Sequence, residues 1–174
     1  MTEQFTFNDF EKVYEIMENS FPLTEFRPKD EQAELFKNKY YKIIGIKENG
    51  IPISFAALWC FEDFTFIEHL ATTPEHRNKG LGAKILQEII SNEEKIVCLE
   101  VEPPVCDLTR RRVAFYERNG MFFNSHPYIQ PSISVGRDPI PLFIMTSHKT
   151  IDEENFITIK NKLYKEVYKV TSNL

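Results

Sequence analysis

Apolar residues near the start of the chain recur at the spacing of one helical face. They are Phe10, Val13, Tyr14 and Met17. Asn8 and Glu11 stand at the two positions of a capping box, so this helix is predicted to be capped at Asn8. Pro22 and Pro28 then interrupt the chain, and a second short helix is predicted over about residues 29–39.

The next segment carries the signals of β-strands. Strands are predicted over residues 41–47, 51–60 and 65–72, and the dipeptide Asn49-Gly50 between the first two is a strong hairpin signal. The second and third strands are apolar almost without interruption, which predicts that both of their faces are buried. Together the three strands are expected to form a meander.

Helices and strands alternate in the second half of the chain. A helix is predicted over about residues 80–92, a strand over 96–101, and a helix over about 109–119 that ends at Gly120. A closing pair of strands is predicted over residues 121–129 and 140–146. A capping box at Thr150 and Glu153 predicts a final helix within about residues 151–170. This order predicts one mixed α/β or α+β domain over residues 1–174.

Composition and charge narrow the class of protein. The 174 residues are 42% hydrophobic and 27% charged, which excludes a disordered chain. The longest apolar run, residues 55–61, is too short to cross a membrane, and the first ten residues lack a secretory signal pattern. The net charge of −5 argues against binding to nucleic acid.

The three cysteines show neither an even disulfide set nor a metal-binding spacing. Cys60, Cys98 and Cys106 are therefore expected to be free thiols in a reducing compartment, which predicts a cytoplasmic protein without a bound metal.

A glycine-rich turn carries the clearest chemical signal. The segment Arg77-Asn-Lys-Gly80-Leu-Gly82 lies between a predicted strand and a predicted helix. A helix N-terminus presents unpaired N–H groups and partial positive charge, so this segment suits a pyrophosphate. It matches neither the P-loop nor the dinucleotide-binding pattern. The alternative is an ordinary strand-to-helix turn with solvated charges.

Two stretches around this turn resemble the GCN5-related N-acetyltransferase (GNAT) superfamily. Residues 70–82, Leu-Ala-Thr-Thr-Pro-Glu-His-Arg-Asn-Lys-Gly-Leu-Gly, resemble its motif A. Residues 114–122, Ala-Phe-Tyr-Glu-Arg-Asn-Gly-Met-Phe, resemble its helix–Gly–aromatic motif, and the likeness spans about residues 43–146. It implies the GNAT fold, a mixed central sheet of about seven strands flanked by helices, here with an additional C-terminal helix.

The resemblance also implies a co-substrate, acetyl-CoA, and the residues that hold it. Main-chain groups of Leu70, Ala71 and Thr72 would bond the pantetheine arm. The pyrophosphate would be held by the loop and helix start, with Arg77 shaping the loop. The residues of this second set are Arg77, Asn78, Lys79, Gly80, Leu81, Gly82 and Ala83.

Acetyl transfer to an amine needs a proton acceptor for the ammonium and a proton donor for the departing thiolate. By resemblance Tyr116 is the donor, and the acceptor is either Glu100 or Glu68. Both glutamates lie in apolar strands, where a carboxylate requires a partner. Strand alternation is expected to place His69 on the face opposite Glu68, as a core or substrate-side histidine.

The chain departs from the family pattern at the start of the helix that carries Tyr116. Thr109 stands where many relatives have Asn. The run Arg110-Arg-Arg112 adds positive charge, which is unfavourable at a helix N-terminus. It is either a clamp for the 3′-phosphate or an acidic substrate, or a solvated face paired with Asp107 and Glu117.

The leading hypothesis is an acetyl-CoA-dependent N-acetyltransferase acting on a primary amine of a small molecule. A protein N-terminus or lysine is the alternative acceptor, and a homodimer is left open. From another class, the alternative is an acyl-CoA-binding sensor without turnover. No nucleic acid, membrane or metal is expected to take part.

Overall fold

The computed structural model describes residues 1–170, which form two compact units. The first unit is Met1–Val97, and the second begins at Cys98. Their helices and strands alternate in an α+β arrangement, as the order of the sequence patterns predicts. Within residues 1–170 the structure contains no helix long and apolar enough to cross a membrane.

The first unit is built on a four-stranded antiparallel meander. Its strands, β1 (Glu3–Gln4), β2 (Tyr41–Glu48), β3 (Ile51–Cys60) and β4 (Phe64–Thr72), pair in that order. Its helices are α1 (Phe10–Ser20), α2 (Lys29–Glu34) and α3 (Leu81–Asn92). Short 3-10 turns cover Phe7–Asp9, Leu23–Glu25, Leu35–Lys37 and Pro74–His76.

Strand β3 carries the core of this unit. Eight consecutive residues of β3 are buried, so both of its faces are covered, as its apolar sequence predicts. Helices α1 and α3 pack against β3 and β4. The largest fully buried side chains of this unit include Trp59, Phe55, Phe66, Met17, Ile85 and Leu86. Their burial gives the meander a rigid base for the loops at its ends.

A β-bulge interrupts β4 at Glu68. Opposite β3, Ala57 pairs with His69 and Leu58 pairs with Ile67, so Glu68 is an extra residue in the strand. A bulge breaks the alternation of faces and redirects the side chains next to it. Here it redirects the side chains of Glu68 and His69.

The second unit is organised around β8 (Ile140–Ser147). The strands β5 (Ile96–Val101), β6 (Met121–Phe123) and β7 (Tyr128–Gln130) each pair with β8 in antiparallel fashion. Helix α4 (Asp107–Arg118) contacts β6. Helix α5 (Glu153–Glu166) packs on β7 through Tyr164, whose hydroxyl donates to the carbonyl of Ile129.

The single strand predicted over residues 121–129 is wrong, because the structure has β6 and β7 in its place. The side chain of Asn124 separates them. Its amide donates to the Ile144 carbonyl at 3.1 Å and to Thr146 Oγ1 at 3.0 Å, and its oxygen accepts from the Ile151 N–H at 2.8 Å. The main-chain N–H of Asn124 also donates to the Ile144 carbonyl, at 3.1 Å, and beyond this residue the side-chain bonds take the place of ladder bonds.

The described chain has eight strands, in agreement with the sheet of about seven strands expected; the two-residue β1 is too short to leave a sequence pattern. Two smaller predictions are corrected. Helical structure begins before Asn8, with Thr6 donating its N–H to the Asp9 carboxylate at 2.9 Å. The cap of α5 is Asp152, which accepts from the Asn155 N–H at 2.9 Å, so the Thr150 capping box is wrong.

Gly45 in β2 provides a test of the packing around the meander. A Cβ at this position would lie 2.3 Å from the Ser54 carbonyl oxygen and 2.5 Å from the ring of Phe5. Because the first of these atoms is backbone, Gly45→Ala should lower the free energy of unfolding by about 2–3 kcal/mol. Gly50→Ala adds a Cβ into open space at φ +78, so it should cost only about 1 kcal/mol. Urea unfolding measures the loss of stability in both variants. If Gly45→Ala loses no more stability than Gly50→Ala, the described packing around Gly45 is contradicted.

Candidate active site

The loop after β4 is tied to its surroundings by Arg77. Its Nε donates to the Thr72 carbonyl at 3.2 Å. Its terminal nitrogen lies 3.4 Å from the Asn19 carbonyl and 3.5 Å from Ser20 Oγ, at the end of α1. The guanidinium therefore connects the end of β4 to the end of α1 and fixes the path of the loop between them.

The loop ends in a helix start that suits an anion. Asn78 and Gly80 both have left-handed backbone conformations, with φ of 62 and 78. Gly80 is the N-cap of α3 and has no side chain that could cap it, so the N–H groups of Leu81, Gly82 and Ala83 point outward from the helix. Such N–H groups and the helix dipole favour a phosphate, and the residues present therefore fit a pyrophosphate.

The end of β4 leads directly into this loop. Ser54 Oγ donates to the Ala71 carbonyl at 3.1 Å and lies 2.7 Å from Thr72 Oγ1. Leu70 and Thr72 are half-buried. Residues 70–72 and residues 77–83 thus belong to one continuous segment that consists of a strand end, a loop and a helix start.

Glu68 is in a buried ion pair. Its side chain is 3% exposed and that of Arg27 is 6% exposed, and the guanidinium lies 2.9 Å from Glu68 Oε1. Trp59 Nε1 donates to the other carboxylate oxygen at 3.0 Å. Both oxygens of Glu68 therefore have partners, which is the reason a carboxylate can lie inside this apolar strand.

Arg27 is itself held by the segment between α1 and α2. Tyr14 donates its hydroxyl to the Arg27 carbonyl at 3.1 Å, and the Arg27 N–H donates to Gln32 Oε1 at 3.2 Å. Gln32 Nε2 in turn donates to the Tyr41 hydroxyl at 3.2 Å. The ion pair consequently joins α1, α2, β2 and β4 into one buried polar network.

Opposing effects set the pKa of Glu68. Burial by itself raises this pKa, but the charge of Arg27 and hydrogen bonds from Arg27 and Trp59 outweigh it. The pKa of Glu68 lies below its ordinary value, and the group is ionised at neutral pH.

His69 lies beside Glu68, so the expectation that it occupies the opposite face is wrong. Its Nδ1 is 3.8 Å from Glu68 Oε2, and its Nε2 donates to the Glu25 carbonyl at 2.7 Å. The bulge at Glu68 is the physical reason, because it brings two adjacent side chains to the same side. Burial lowers the pKa of His69, although the charge of Glu68 opposes that shift.

Glu100 occupies a different environment, in the second unit. It lies on β5, paired in register with Ile144, and is half-buried. The hydroxyl of Tyr168 donates to Glu100 Oε1. Burial raises the pKa of both Tyr128 and Tyr164, and the charge of Glu100 raises them further. Glu100 therefore bonds the Tyr168 hydroxyl and interacts electrostatically with Tyr128 and Tyr164.

Tyr116 lies in the last turn of α4, half-buried, with its ring against Phe115 at 5.2 Å between centroids. Thr109, near the start of the same helix, accepts from the Cys106 N–H at 3.1 Å through its hydroxyl. This bond makes Thr109 part of the helix cap, and α4 begins two residues earlier than predicted because of it.

Two of the three successive arginines have carboxylate partners on the surface. Arg110 lies 2.9 Å from Asp107, and Arg112 lies 2.9 Å from Glu102. Asp107 is one of the two partners expected for the run, and Glu102 is a partner that was not expected. These contacts are those of the solvated-face alternative.

The cysteines are free thiols, as predicted. Burial raises the pKa of Cys98 well above its ordinary value, so its thiol is protonated. Cys106 is exposed, and hydrogen bonds with Thr109 lower its pKa. Within residues 1–170 no group of three His, Cys, Asp or Glu side chains has the arrangement of a metal site.

Comparison with known proteins shows which family the chain belongs to. Residues 39–120 match the acetyltransferase (GNAT) domain family. A solved structure from Bacteroides thetaiotaomicron, titled a putative acetyltransferase from the GNAT family, is 30% identical with a TM-score of 0.87. It covers 98% of this chain, and this chain covers 99% of it.

Two further similar proteins are also named acetyltransferases. Bacillus subtilis YjbC, named a putative acetyltransferase, is 27% identical over 89% of this chain and 80% of its own. The structure of yncA from Salmonella typhimurium, solved with its cofactor acetyl-CoA, has a TM-score of 0.60 and 17% identity over 88% of this chain and 98% of its own. At that identity the second similarity is one of fold alone.

The chain belongs to the GNAT family, and it is an N-acetyltransferase. The fold predicted from the resemblance is confirmed.

Sequence reasoning missed the partners of both candidate bases. Arg27 and Tyr168 are separated from their glutamates by 41 and 68 residues, respectively, and neither stands in a recognisable motif. The one available signal was the presence of a carboxylate in an apolar strand, which requires a partner without naming it.

The Arg27–Glu68 pair makes a prediction about stability. Arg27→Met should lower the free energy of unfolding by about 3 kcal/mol, because it leaves a buried carboxylate without its cation. Glu68→Gln should also destabilise, and its cost should depend on pH. Because the folded pKa of Glu68 is below the unfolded value of 4.5, the stabilisation is complete above that pH and is lost as the pH falls through the folded pKa.

Denaturant unfolding between neutral and acidic pH measures this difference. The gap between wild type and Glu68→Gln should be widest at neutral pH and narrow in acid. The matched control is Glu11→Gln, which removes a carboxylate from an exposed pair with Lys29 and should change stability little at any pH. A gap for Glu68→Gln that stays constant into acid would contradict the buried pair.

Proposed function

We propose that the protein transfers the acetyl group of acetyl-CoA to a primary amine of a small molecule. The observation that supports this most directly is the start of α3. There a left-handed glycine leaves outward N–H groups uncapped, next to a loop held by Arg77. This is the local structure that a pyrophosphate requires.

Each part of the strand–loop–helix segment has a role in this proposal. The N–H groups from Asn78 to Ala83 bind the pyrophosphate, and exposed Lys79 adds positive charge. Arg77 fixes the loop through its contacts with Thr72 and α1. Main-chain groups of Leu70, Ala71 and Thr72 bond the pantetheine arm.

The reaction moves an acetyl group directly from sulfur to nitrogen. The acceptor ammonium first gives up a proton to a base, and the free amine attacks the thioester carbonyl. A C–N bond forms as the C–S bond breaks, and the departing thiolate takes a proton from the Tyr116 hydroxyl. The second proton leaves the nitrogen and restores the Tyr116 hydroxyl, so the products are a neutral amide, free CoA and the protonated base. The proposed transfer is direct, without an acyl intermediate at Cys98, whose thiol is buried and protonated.

Glu100 is the proposed base. Glu68, the alternative, has one oxygen in the ion pair with Arg27 and the other bonded to Trp59, so neither oxygen is available to a substrate ammonium. Glu100 is half-buried and lies among neutral phenols. We therefore assign Glu68 to a structural ion pair and Glu100 to proton transfer.

The acceptor is proposed to be a cationic small-molecule amine, because the chain carries a net charge of −5. A protein N-terminus or lysine is the second candidate acceptor. An acyl-CoA sensor is the candidate from another class, but a sensor has no need of a proton donor at Tyr116.

The anion site predicts the effect of one added negative charge. Asn78→Asp keeps a residue that tolerates the left-handed conformation and places a carboxylate where the phosphate would bind. Affinity for acetyl-CoA, measured by calorimetry, should fall by about tenfold or more, a cost of about 1.4 kcal/mol. Folding stability should not fall, because an acid is favourable near a helix N-terminus.

The matched control is Asn161→Asp, the same change at an exposed position of α5. It should leave acetyl-CoA affinity unchanged, and ATP should not bind the wild type. If Asn78→Asp binds acetyl-CoA as tightly as the wild type, the pyrophosphate does not lie at this helix start.

Tyr116→Phe tests whether Tyr116 is the proton donor. If Tyr116 donates the proton, turnover should fall by about a hundredfold or more while acetyl-CoA affinity is kept. Tyr40→Phe removes a hydroxyl from another half-buried tyrosine and serves as the control. Release of thiol measures the rate and calorimetry the affinity. Unchanged turnover in Tyr116→Phe would show that this hydroxyl is not the proton donor.

A further inference from the structure

Tyr168 links the end of the chain's last helix to the candidate base. Its side chain is buried, with the residue 7% exposed, and its hydroxyl donates to Glu100 Oε1 across 68 residues of sequence. A hydrogen bond to a carboxylate favours the ionised form and restricts its rotation.

The backbone holds Tyr168 in place independently of this contact. The N–H groups of Val167 and Tyr168 both donate to the Leu163 carbonyl, at 2.9 and 3.1 Å. Lys169 follows in a left-handed conformation, with φ 57, which turns the chain at once after α5. The phenol is therefore positioned by a helix end, and the orientation of Glu100 follows from it.

Other groups around Glu100 are titratable but neutral at pH 7. They are Tyr128 on β7, Tyr164 on α5 and Cys98 on β5; burial raises the pKa of all three, and the charge of Glu100 raises each further. Tyr164 donates its hydroxyl to the Ile129 carbonyl. Of Tyr164 and Tyr168, Tyr168 is therefore the one whose hydroxyl donates to a Glu100 oxygen.

We propose that Tyr168 is a positioning residue for acetyl transfer, one that orients the Glu100 carboxylate and keeps it ionised so that it can accept the ammonium proton. This inference rests on the proposed function, in which Glu100 is the base. Tyr168 follows α5 and lies outside residues 39–120, which match the family. The inference therefore gives the C-terminal segment a part in the chemistry.

Tyr168→Phe tests the inference, because it keeps the buried ring and removes only the hydroxyl. The acid limb of the pH profile of kcat/KM should move to higher pH by about one unit, and the rate at high pH should return to the wild-type value. A purely structural loss would lower the rate equally at all pH values. Glu100→Gln should be slow throughout.

Tyr164→Phe is the matched control. Tyr164 lies four residues before Tyr168, in α5, and its hydroxyl donates to the main-chain carbonyl of Ile129. Its acid limb should coincide with that of the wild type. If Tyr168→Phe and Tyr164→Phe give the same profile as the wild type, the inference is overturned.

A second readout does not depend on turnover. In protein labelled with 13C-carboxyl glutamate, the Glu100 signal is assigned by its loss in Glu100→Gln. Its titration midpoint should rise by about one pH unit in Tyr168→Phe and stay fixed in Tyr164→Phe. Should Tyr168→Phe not fold, 3-fluorotyrosine at position 168 alone, a more acidic phenol, should move the midpoint down.

The outcomes separate the two claims. An unmoved midpoint overturns the role of Tyr168 whatever the activity. A moved midpoint together with full activity of Glu100→Gln overturns Glu100 as the base, and with it the positioning role. A moved midpoint together with a shifted acid limb supports both.

Discussion

The buried ion pair between Arg27 and Glu68 is the interaction on which the first unit depends. A carboxylate inside an apolar strand is tolerable only with a close cation, and Arg27 reaches it at 2.9 Å from the segment between α1 and α2. The bulge in β4 directs Glu68 and His69 toward that segment, where His69 bonds the Glu25 carbonyl. The ion pair therefore holds the helical segment against the strand that leads into the loop before α3.

The two glutamates of the central strands illustrate how environment divides similar residues. Glu68 has an arginine and an indole N–H as partners, which keep it ionised at neutral pH. Glu100 has a tyrosine hydroxyl and further phenols, which stabilise an anion less strongly and leave it able to exchange a proton. In our account the first glutamate maintains structure, and the second performs chemistry.

Much of the fold was predictable because its signals are local. The alternation and apolar runs of β2 to β4, the Asn49-Gly50 turn and the glycines before α3 act over a few residues, and the structure has them where predicted. The interruption between β6 and β7 could not be predicted, because it arises from contacts of Asn124 with residues about 20 positions away in the sequence. The face of His69 was missed because a bulge leaves no pattern in the sequence, and the partners of Glu68 and Glu100 were missed because they are distant.

The most direct test of the account is whether the purified protein forms an N-acetylated product. The protein would be incubated with acetyl-CoA and separate panels of small primary amines and of peptides, and the products identified by mass spectrometry. The account predicts an acetylated small-molecule amine, formed together with free CoA. Acetylation confined to peptides would contradict the proposed acceptor class, and the absence of any acetylated product while acetyl-CoA binds tightly would contradict the account of transfer itself.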